Sequence, residues 1–356
     1  MDAPPFTPTV GQLPTSPIPP TEMIALETPT NTPEPLPTPT QGPFLPDGLM
    51  LLSYATLSQV EQLAAIPLSG VTGLEFSPDG LVIMAKMDTA EGDQKVIFFD
   101  LKTGEEVFRL DGDQRIYFNP DNTTVAALYG KSLTVYDLKT GEKKIQYNSR
   151  NLVAALSPDG RTLVEFEDSD TETGTTLRVV DLTADEEKYR IFVNGELDRE
   201  RLHFDGDSKR MAATYFVPPG TYVSTIWKAD SGGVLYTEYG YSEILLHPFG
   251  SEVAASSANK SYISLISSVT WVQKHYLGSA GEDPGYYDLG YASGGRLIYA
   301  LSDGEKTGAS FWYPPTGERI DLDLDLDLLA VSISPNRRLM ATSDRSGSVI
   351  LWGVPE

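Results

Sequence analysis

One short phrase recurs along this chain: an apolar or aromatic residue, a small polar residue, then a turn built around proline and aspartate. It stands as Phe76-Ser77-Pro78-Asp79-Gly80, Phe118-Asn119-Pro120-Asp121-Asn122, Leu156-Ser157-Pro158-Asp159-Gly160 and Ile333-Ser334-Pro335-Asn336. Degenerate copies at Phe204-Asp205-Gly206-Asp207, Leu246-His247-Pro248-Phe249-Gly250 and Tyr291-Ala292-Ser293-Gly294-Gly295 bring the set to seven. Measured at Pro78, Pro120, Pro158, Gly206, Pro248, Ser293 and Pro335, the spacings are 42, 38, 48, 42, 45 and 42. A period of this length suits a unit of four strands. The phrase itself is a hairpin: proline presets φ at the first corner, aspartate bonds the local backbone, and glycine takes the positive φ that a side chain resists.

A second marker sets the register. An aromatic or branched residue closes the third strand of each unit at Phe99, Tyr136, Val180, Trp227, Ile266, Trp312 and Trp352, with spacings of 37, 44, 47, 39, 46 and 40. Three of these lead into a further tight turn, as in Tyr136-Asp137-Leu138-Lys139-Thr140-Gly141-Glu142. Strands rich in β-branched and apolar residues lie between the markers, and no helical periodicity competes with them. The fold class is all-β. The last unit supplies three strands before the chain stops, so a fourth has to come from elsewhere. Leu57 to Leu68 reads as a short helical turn followed by one orphan strand, and the expectation is that 63–68 pairs with 348–352. A ring closed by strands from both ends has no free edge.

The Ser-Pro-Asp-Gly turns, the Tyr-Asp-Leu-Lys-Thr-Gly-Glu phrase and the terminal Ser348-Val349-Ile350-Leu351-Trp352 resemble the WD40 repeat family. The likeness covers about residues 57 to 354 and implies a seven-bladed β-propeller used chiefly as a protein-interaction platform. The helical lead-in makes it similar to bacterial surface or secreted propellers of this type that follow Pro/Thr spacers. No Gly-His dipeptide starts a blade, Gly353 stands where an aspartate would follow Trp352, and blades four to six diverge heavily, so transfer of specific partners is weak.

Residues 1–46 carry 14 of the 26 prolines, nine threonines and no Lys or Arg. Such a stretch has little apolar area to offset ordering entropy and reads as a disordered, semi-rigid Pro/Thr tether ahead of a propeller over 47–356. Spacers of this composition hold modules away from cell surfaces, which suggests an extracellular or cell-envelope location with an export signal removed, lipoprotein-like. A tail on an intracellular scaffold is the other reading. The chain has no cysteine, which excludes disulfides and thiolate chemistry, and its net charge of −23 argues against nucleic acid and anionic membranes as partners. No apolar run is long enough to cross a bilayer.

Chemistry-bearing motifs are few. His203 and His247 sit inside repeat positions and read as packed within their blades, and His275 lies on a fourth strand. There is no serine elbow, phosphate-binding loop or zinc helix, so no enzyme activity is expected and no catalytic or cofactor-binding residue is assigned. Asp168, Asp170 and Glu172 alternate through a loop of blade three as hard oxygen ligands for Ca²⁺ would, although the glycine and terminal glutamate of an EF-hand are missing and a solvated acidic loop is the other reading. Asp321 to Leu328 alternates four aspartates with four leucines and predicts the outer strand of blade six. For the partner surface, one face should gather acidic loops with Tyr222, Tyr239, Tyr241, Tyr286, Tyr287 and Asp283, tyrosine offering large area at low entropy cost. This points to a non-enzymatic propeller binding a protein or peptide, basic in character. A saccharide ligand or a glycan-active enzyme with paired carboxylates is the alternative, marked by two such groups with raised pKa converging on one pocket.

Overall fold

The computed structural model describes residues 44–356 except 90, 168–173, 249, 251, 260, 279–284, 293–294, 304–307 and 346–347. The chain divides into two units, Met1–Gln41 and Gly42–Glu356. The tether expectation falls, for residues 1–43, outside the described ones. The second unit begins a few residues earlier than composition placed it, because Phe44 and Leu45 pack against a buried apolar cluster of the ring.

The described residues form seven four-stranded antiparallel sheets, six of them running in chain order from an inner to an outer strand and the seventh taking its outer strand from the start of the ring. The seven inner strands are Val71–Phe76, Arg115–Phe118, Leu152–Leu156, Glu196–Phe204, Tyr241–Leu246, Gly285–Ala292 and Leu328–Ile333. All seven recurring phrases fall at the turn from inner to second strand, and all seven second markers fall on third strands. This is a seven-bladed β-propeller. The core lies between blades rather than within any one of them. Met84, Val96 and Phe98 of blade 1 meet Ile116, Phe118 and Val125 of blade 2, and six similar clusters follow around the ring to the contact of blade 7 with blade 1. A sheet covered on both faces needs apolar residues at successive positions, which is why a middle strand such as Ile263–Ser267 is buried throughout.

Serine explains the phrase. Ser77 Oγ donates to Asp79 Oδ1 at 2.7 Å while accepting from the Val82 amide at 2.9 Å, and Ser157 and Ser334 repeat the arrangement with Asp159 and Asn336. Buried hydroxyls thus satisfy the turn where the backbone alone would leave groups unpaired. Neighbouring turns also touch, the Asp79 amide donating to Asn122 Oδ1 at 2.8 Å.

The ring closes through Glu61–Pro67, which forms the outermost strand of blade 7 and pairs with Ser348–Gly353 from Glu61 opposite Gly353 to Pro67 opposite Ser348. A single 3₁₀ turn, Leu57–Gln59, precedes it. Leu52 and Leu57 are fully buried in the cluster that holds Phe311 and Trp352. The alternating segment 321–328 is not one strand. Blade 6 ends at Leu322, residues 323–327 cross to blade 7, and Asp325 takes φ +52° within that crossing. The leucines still point inward, since Leu322 and Leu328 are buried and Leu324 and Leu326 pack against the same cluster. Asp321 and Asp327 are paired with Arg319 and Arg345. Alternating burial therefore survives where the strand does not.

Leu351→Ala should cost about 2–5 kcal/mol, since Leu351 is fully buried on the strand that receives the closing segment. Leu81→Ala, at an exposed turn, should stay within about 0.5 kcal/mol. Urea unfolding of both variants measures the difference, and equal losses would contradict a packed closure.

Candidate functional site in the central channel

The inner strands surround a bore of about 900 Å³. Residues on a strand alternate between faces, so only part of each inner strand faces it. Blades 2 and 4 contribute cationic groups, Arg115 and Arg201, together with His203. Blades 5, 6 and 1 contribute Glu243, Asp288 and Glu75. The inner strands of blades 3 and 7, Leu-Val-Ala-Ala-Leu and Leu-Leu-Ala-Val-Ser-Ile, carry no charge. Blade 3 thus lies between the two blades with cationic inner strands and blade 7 between two of the three with acidic ones, which divides the inner-strand charges into a positive and a negative arc; Lys86, on the second strand of blade 1, also lines the bore and pairs with Asp113 at 2.7 Å.

The positive arc also joins blades. Arg115 donates from Nη1 to the Ala154 carbonyl at 2.9 Å and from Nη2 to the Leu202 carbonyl at 2.5 Å, spanning blades 2, 3 and 4. Arg201 reaches the Ser242 carbonyl of blade 5 at 2.7 Å. His203 Nε2 accepts the Leu246 amide at 3.2 Å, and burial with Arg115 nearby pushes its pKa down to about 4, so the ring is neutral at pH 7. His247 joins blade 5 to blade 6 through the Gly295 carbonyl at 3.2 Å, with the edge of Tyr291 at 4.9 Å, and burial lowers its pKa too. His275 is half-buried on the outer strand of blade 5. These placements make His203 and His247 connectors.

The negative arc is built around a bulge. The inner strand of blade 6 shifts register between Tyr287 and Gly290, and Asp288 within the bulge adopts φ +52°. A left-handed aspartate inside a strand costs backbone energy and re-aims its side chain. Gly290 lies opposite Tyr299 of the second strand, and any side chain there would overlap the Tyr299 ring. Glycine therefore makes room for the Tyr299 ring. The Tyr299 phenol is held far above its ordinary range, first by burial and then by the nearby charges of Asp288, Glu75 and Glu243. Asp288 and Glu75 are both exposed to the bore, whose walls replace part of their hydration. Burial pushes Asp288 up to about 6; it pushes Glu75 up to about 7 against the opposing pull of Arg115. Ser256, paired with Glu243 across the strands of blade 5, lines the same bore at 2% exposure, and its Oγ has no hydrogen-bond partner among the described residues.

A smaller recess of about 490 Å³ shares Arg201 and Tyr222 with the bore and is lined also by Glu196, Thr214 and Phe216. Phe216 meets Tyr222 edge-on at 5.4 Å, and the Arg201 guanidinium lies 5.4 Å from the centre of the Tyr222 ring. It exists because blade 4 has the long strands Glu196–Phe204, Arg210–Val217 and Thr221–Lys228.

Of the tyrosines expected at a partner surface, Tyr222 lines both cavities and Tyr239 is 65% exposed at the end of the outer strand of blade 4. Tyr241 is half-buried between blades 4 and 5, its hydroxyl 2.9 Å from Ser264 Oγ. Tyr286 is 1% exposed, edge-on to Trp312 at 5.2 Å, and belongs to the core rather than to an open face. The Tyr287 side chain, Asp283, and the candidate calcium ligands Asp168, Asp170 and Glu172 lie outside the described residues. Among the described residues no group of three His, Cys, Asp or Glu is placed to hold a metal ion. Sequence reading passed over Glu75, Glu243, Asp288, Tyr299 and Ser256. A signal for the first three existed. Counted back from the aromatic or apolar residue of each phrase, every charged inner-strand residue of the bore stands one or three places earlier.

No family model matches the chain, and no curated protein matches it. Solved structures do. The β-propeller domain of Cps50 (Swd1) from Myceliophteria thermophila is similar over 83% of this chain and 99% of that one, at 15% identity and a TM-score of 0.64. At that identity the likeness concerns the fold, and one propeller scaffold hosts many functions.

Glu75→Gln isolates the carboxylate. Glu75 ionises near 4.5 when unfolded and about 7 in the ring, so folding takes up a proton between these values and stability falls as pH rises across them. The variant should be more stable than the parent at pH 8, with the gain fading by pH 4. Urea unfolding at both values checks it; an equal gain at both would assign the effect to packing.

Proposed function

We propose that this chain is a non-enzymatic binding propeller, displayed outside the cell on its Pro/Thr-rich segment, that receives a basic protein or peptide partner at its central bore and the adjoining recess. The observation that carries this reading is the convergence of Glu75, Glu243 and Asp288 on one solvent-filled cavity beside Tyr222. Three carboxylates in a partly desolvated wall attract a cationic group more strongly than the same charges spread over an open surface. Tyr222 and Phe216 supply apolar area at the recess, and Tyr239 adds exposed aromatic surface on the same blade. The export reading is supported by the composition of residues 1–46 and by nothing else.

The test is capture from cell-surface and secreted material by the immobilised full-length chain at low and high salt. A partner retained at low salt and released at high salt is expected. The control is the double variant Glu243→Gln, Asp288→Asn, whose net charge of −21 (−23 + 2) is nearly unchanged. Retention by the variant equal to that of the parent would mean that overall charge, and not the bore, does the binding.

A second reading has a specific observation behind it. Glu75 and Asp288 both hold protons more tightly than usual within one cavity, as the acid of a glycan-cleaving pair must. Release of reducing ends from a glycan panel, lost in both Glu75→Gln and Asp288→Asn, would replace the binding reading by this one.

A further inference from the structure

We propose that the acidic side of the bore binds a primary ammonium group, drawn in by the carboxylates of Glu75, Glu243 and Asp288 that line it and received at the hydroxyl of Ser256, the cross-strand partner of Glu243. This rests on the binding reading above and names the chemistry that the cavity selects.

Four observations carry it. The acids sit on three different blades, so their sharing of one cavity follows from ring closure and not from a local acidic run. Ser256 Oγ is buried, faces the bore and has no hydrogen-bond partner among the described residues, although a buried hydroxyl ordinarily finds one. A hydroxyl oxygen can accept from an ammonium, which carries three donors and no acceptor. The arrangement does not suit a bare metal ion: calcium needs six to eight oxygens at about 2.3–2.6 Å, and the described residues offer no such grouping. A bore of about 900 Å³ leaves room for a polyatomic cation and its chain. Arg115 and Arg201 repel a cation from blades 2 and 4, and Arg115 also offsets the charge of Glu75 on the adjoining blade 1, so a cation is favoured most beside blades 5 and 6.

Protonation should tune the site. Facing Glu75 and Asp288 are Arg115 of blade 2, Arg201 and the neutral His203 of blade 4, Glu243 of blade 5, Tyr299 of blade 6, and Lys86 of blade 1, the last paired to Asp113 at 2.7 Å. Tyr299, its phenol held far above the ordinary range, keeps its charge state between pH 6 and 8. Glu75, about 7, and Asp288, about 6, do not. Both must be ionised to hold an ammonium well, and binding then releases protons. Two such groups together predict affinity at pH 8 on the order of tenfold above that at pH 6, while an alkylammonium remains charged throughout.

The experiment is calorimetric titration of the full-length chain with two probes, Nα-acetyl-lysine amide and putrescine, at pH 6 and 8, with Nα,Nε-diacetyl-lysine amide as the uncharged control. Binding by the lysine probe alone assigns the site to a partner's side chain, and binding by putrescine alone assigns it to a free amine; either supports the proposal. Proton release should show as a dependence of the observed heat on the buffer's ionisation enthalpy. Asp288→Asn should lower affinity at least tenfold and Ser256→Ala about threefold, with circular dichroism unchanged. If Asp288→Asn does not fold, Ser256→Ala carries the comparison. Absence of binding by both amines, or binding unmoved by these substitutions, overturns the ammonium site. Should the salt-sensitive capture of a partner persist in that case, the propeller still binds at its bore but by other chemistry; loss of both would remove the binding reading as well.

Discussion

Each sheet of this chain is apolar on both faces, and every other feature follows from the need to cover them. Two sheets stacked alone would leave two faces in water. Seven arranged around an axis leave none, because each interblade cluster is shared by two neighbours. That solution works only if the ring is complete. The pairing of Glu61–Pro67 with Ser348–Gly353 joins segments nearly 300 residues apart and sets blade 7 against blade 1. Its side chains lie in the same cores as the rest, so closure is part of the packing and not a clasp added to it. Long-range pairing of this kind also forms late in folding, since its loop-closure entropy is met before its contacts repay it.

A ring so built has a bore whether or not function requires one. What varies is which side chains the inner strands direct into it. Here the polar ones fall into two arcs, and part of the positive arc acts as structure: Arg115 crosses blade 3 to reach blade 4, and Arg201 reaches blade 5. Those guanidiniums satisfy carbonyls that a short inner strand such as Leu152–Leu156 leaves open. In the negative arc, Asp288 sits inside a bulge with its backbone held in a left-handed conformation. Strain of that kind persists only where surrounding structure holds it, and here the Tyr299 ring packed over Gly290 does so.

The repeat made the fold legible. Blade number, turn positions and third-strand markers could all be read because proline, glycine and aspartate act locally, at the residue where they stand. The serine of the phrase was visible too, though its work as a double hydrogen-bond partner was not. Asp321 to Leu328 misled for a physical reason: alternation reports burial, and a connection lying across the end of a blade can bury every second residue as a strand does. Tyr286 misled similarly, since a tyrosine next to a loop can turn into the interblade core against Trp312. The site was the least legible part. Glu75 and Asp288 are 213 positions apart, and only the closed ring puts them in one cavity. Aligning the seven inner strands would still have found their columns, where Arg115, Arg201, Glu243 and Asp288 share one register and Glu75 and His203 share the other.

The costs of the bore point the same way as its geometry. Glu75 and Asp288 are ionised at neutral pH only against the pull of their surroundings, and each raised pKa is a loss of folding stability once the group is charged. His203, held neutral, disfavours folding as the pH falls below 6.5 toward its depressed value. A glutamine or asparagine would avoid the first loss, as the alanines and leucines of blades 3 and 7 avoid it altogether. Stability alone therefore does not account for two acids in the wall of an otherwise well-packed ring, whereas a cation seated between them would restore what the empty bore lacks. The same contact that offsets the lost hydration would be the binding energy, so the weakest part of the ring in isolation becomes its most selective part when occupied.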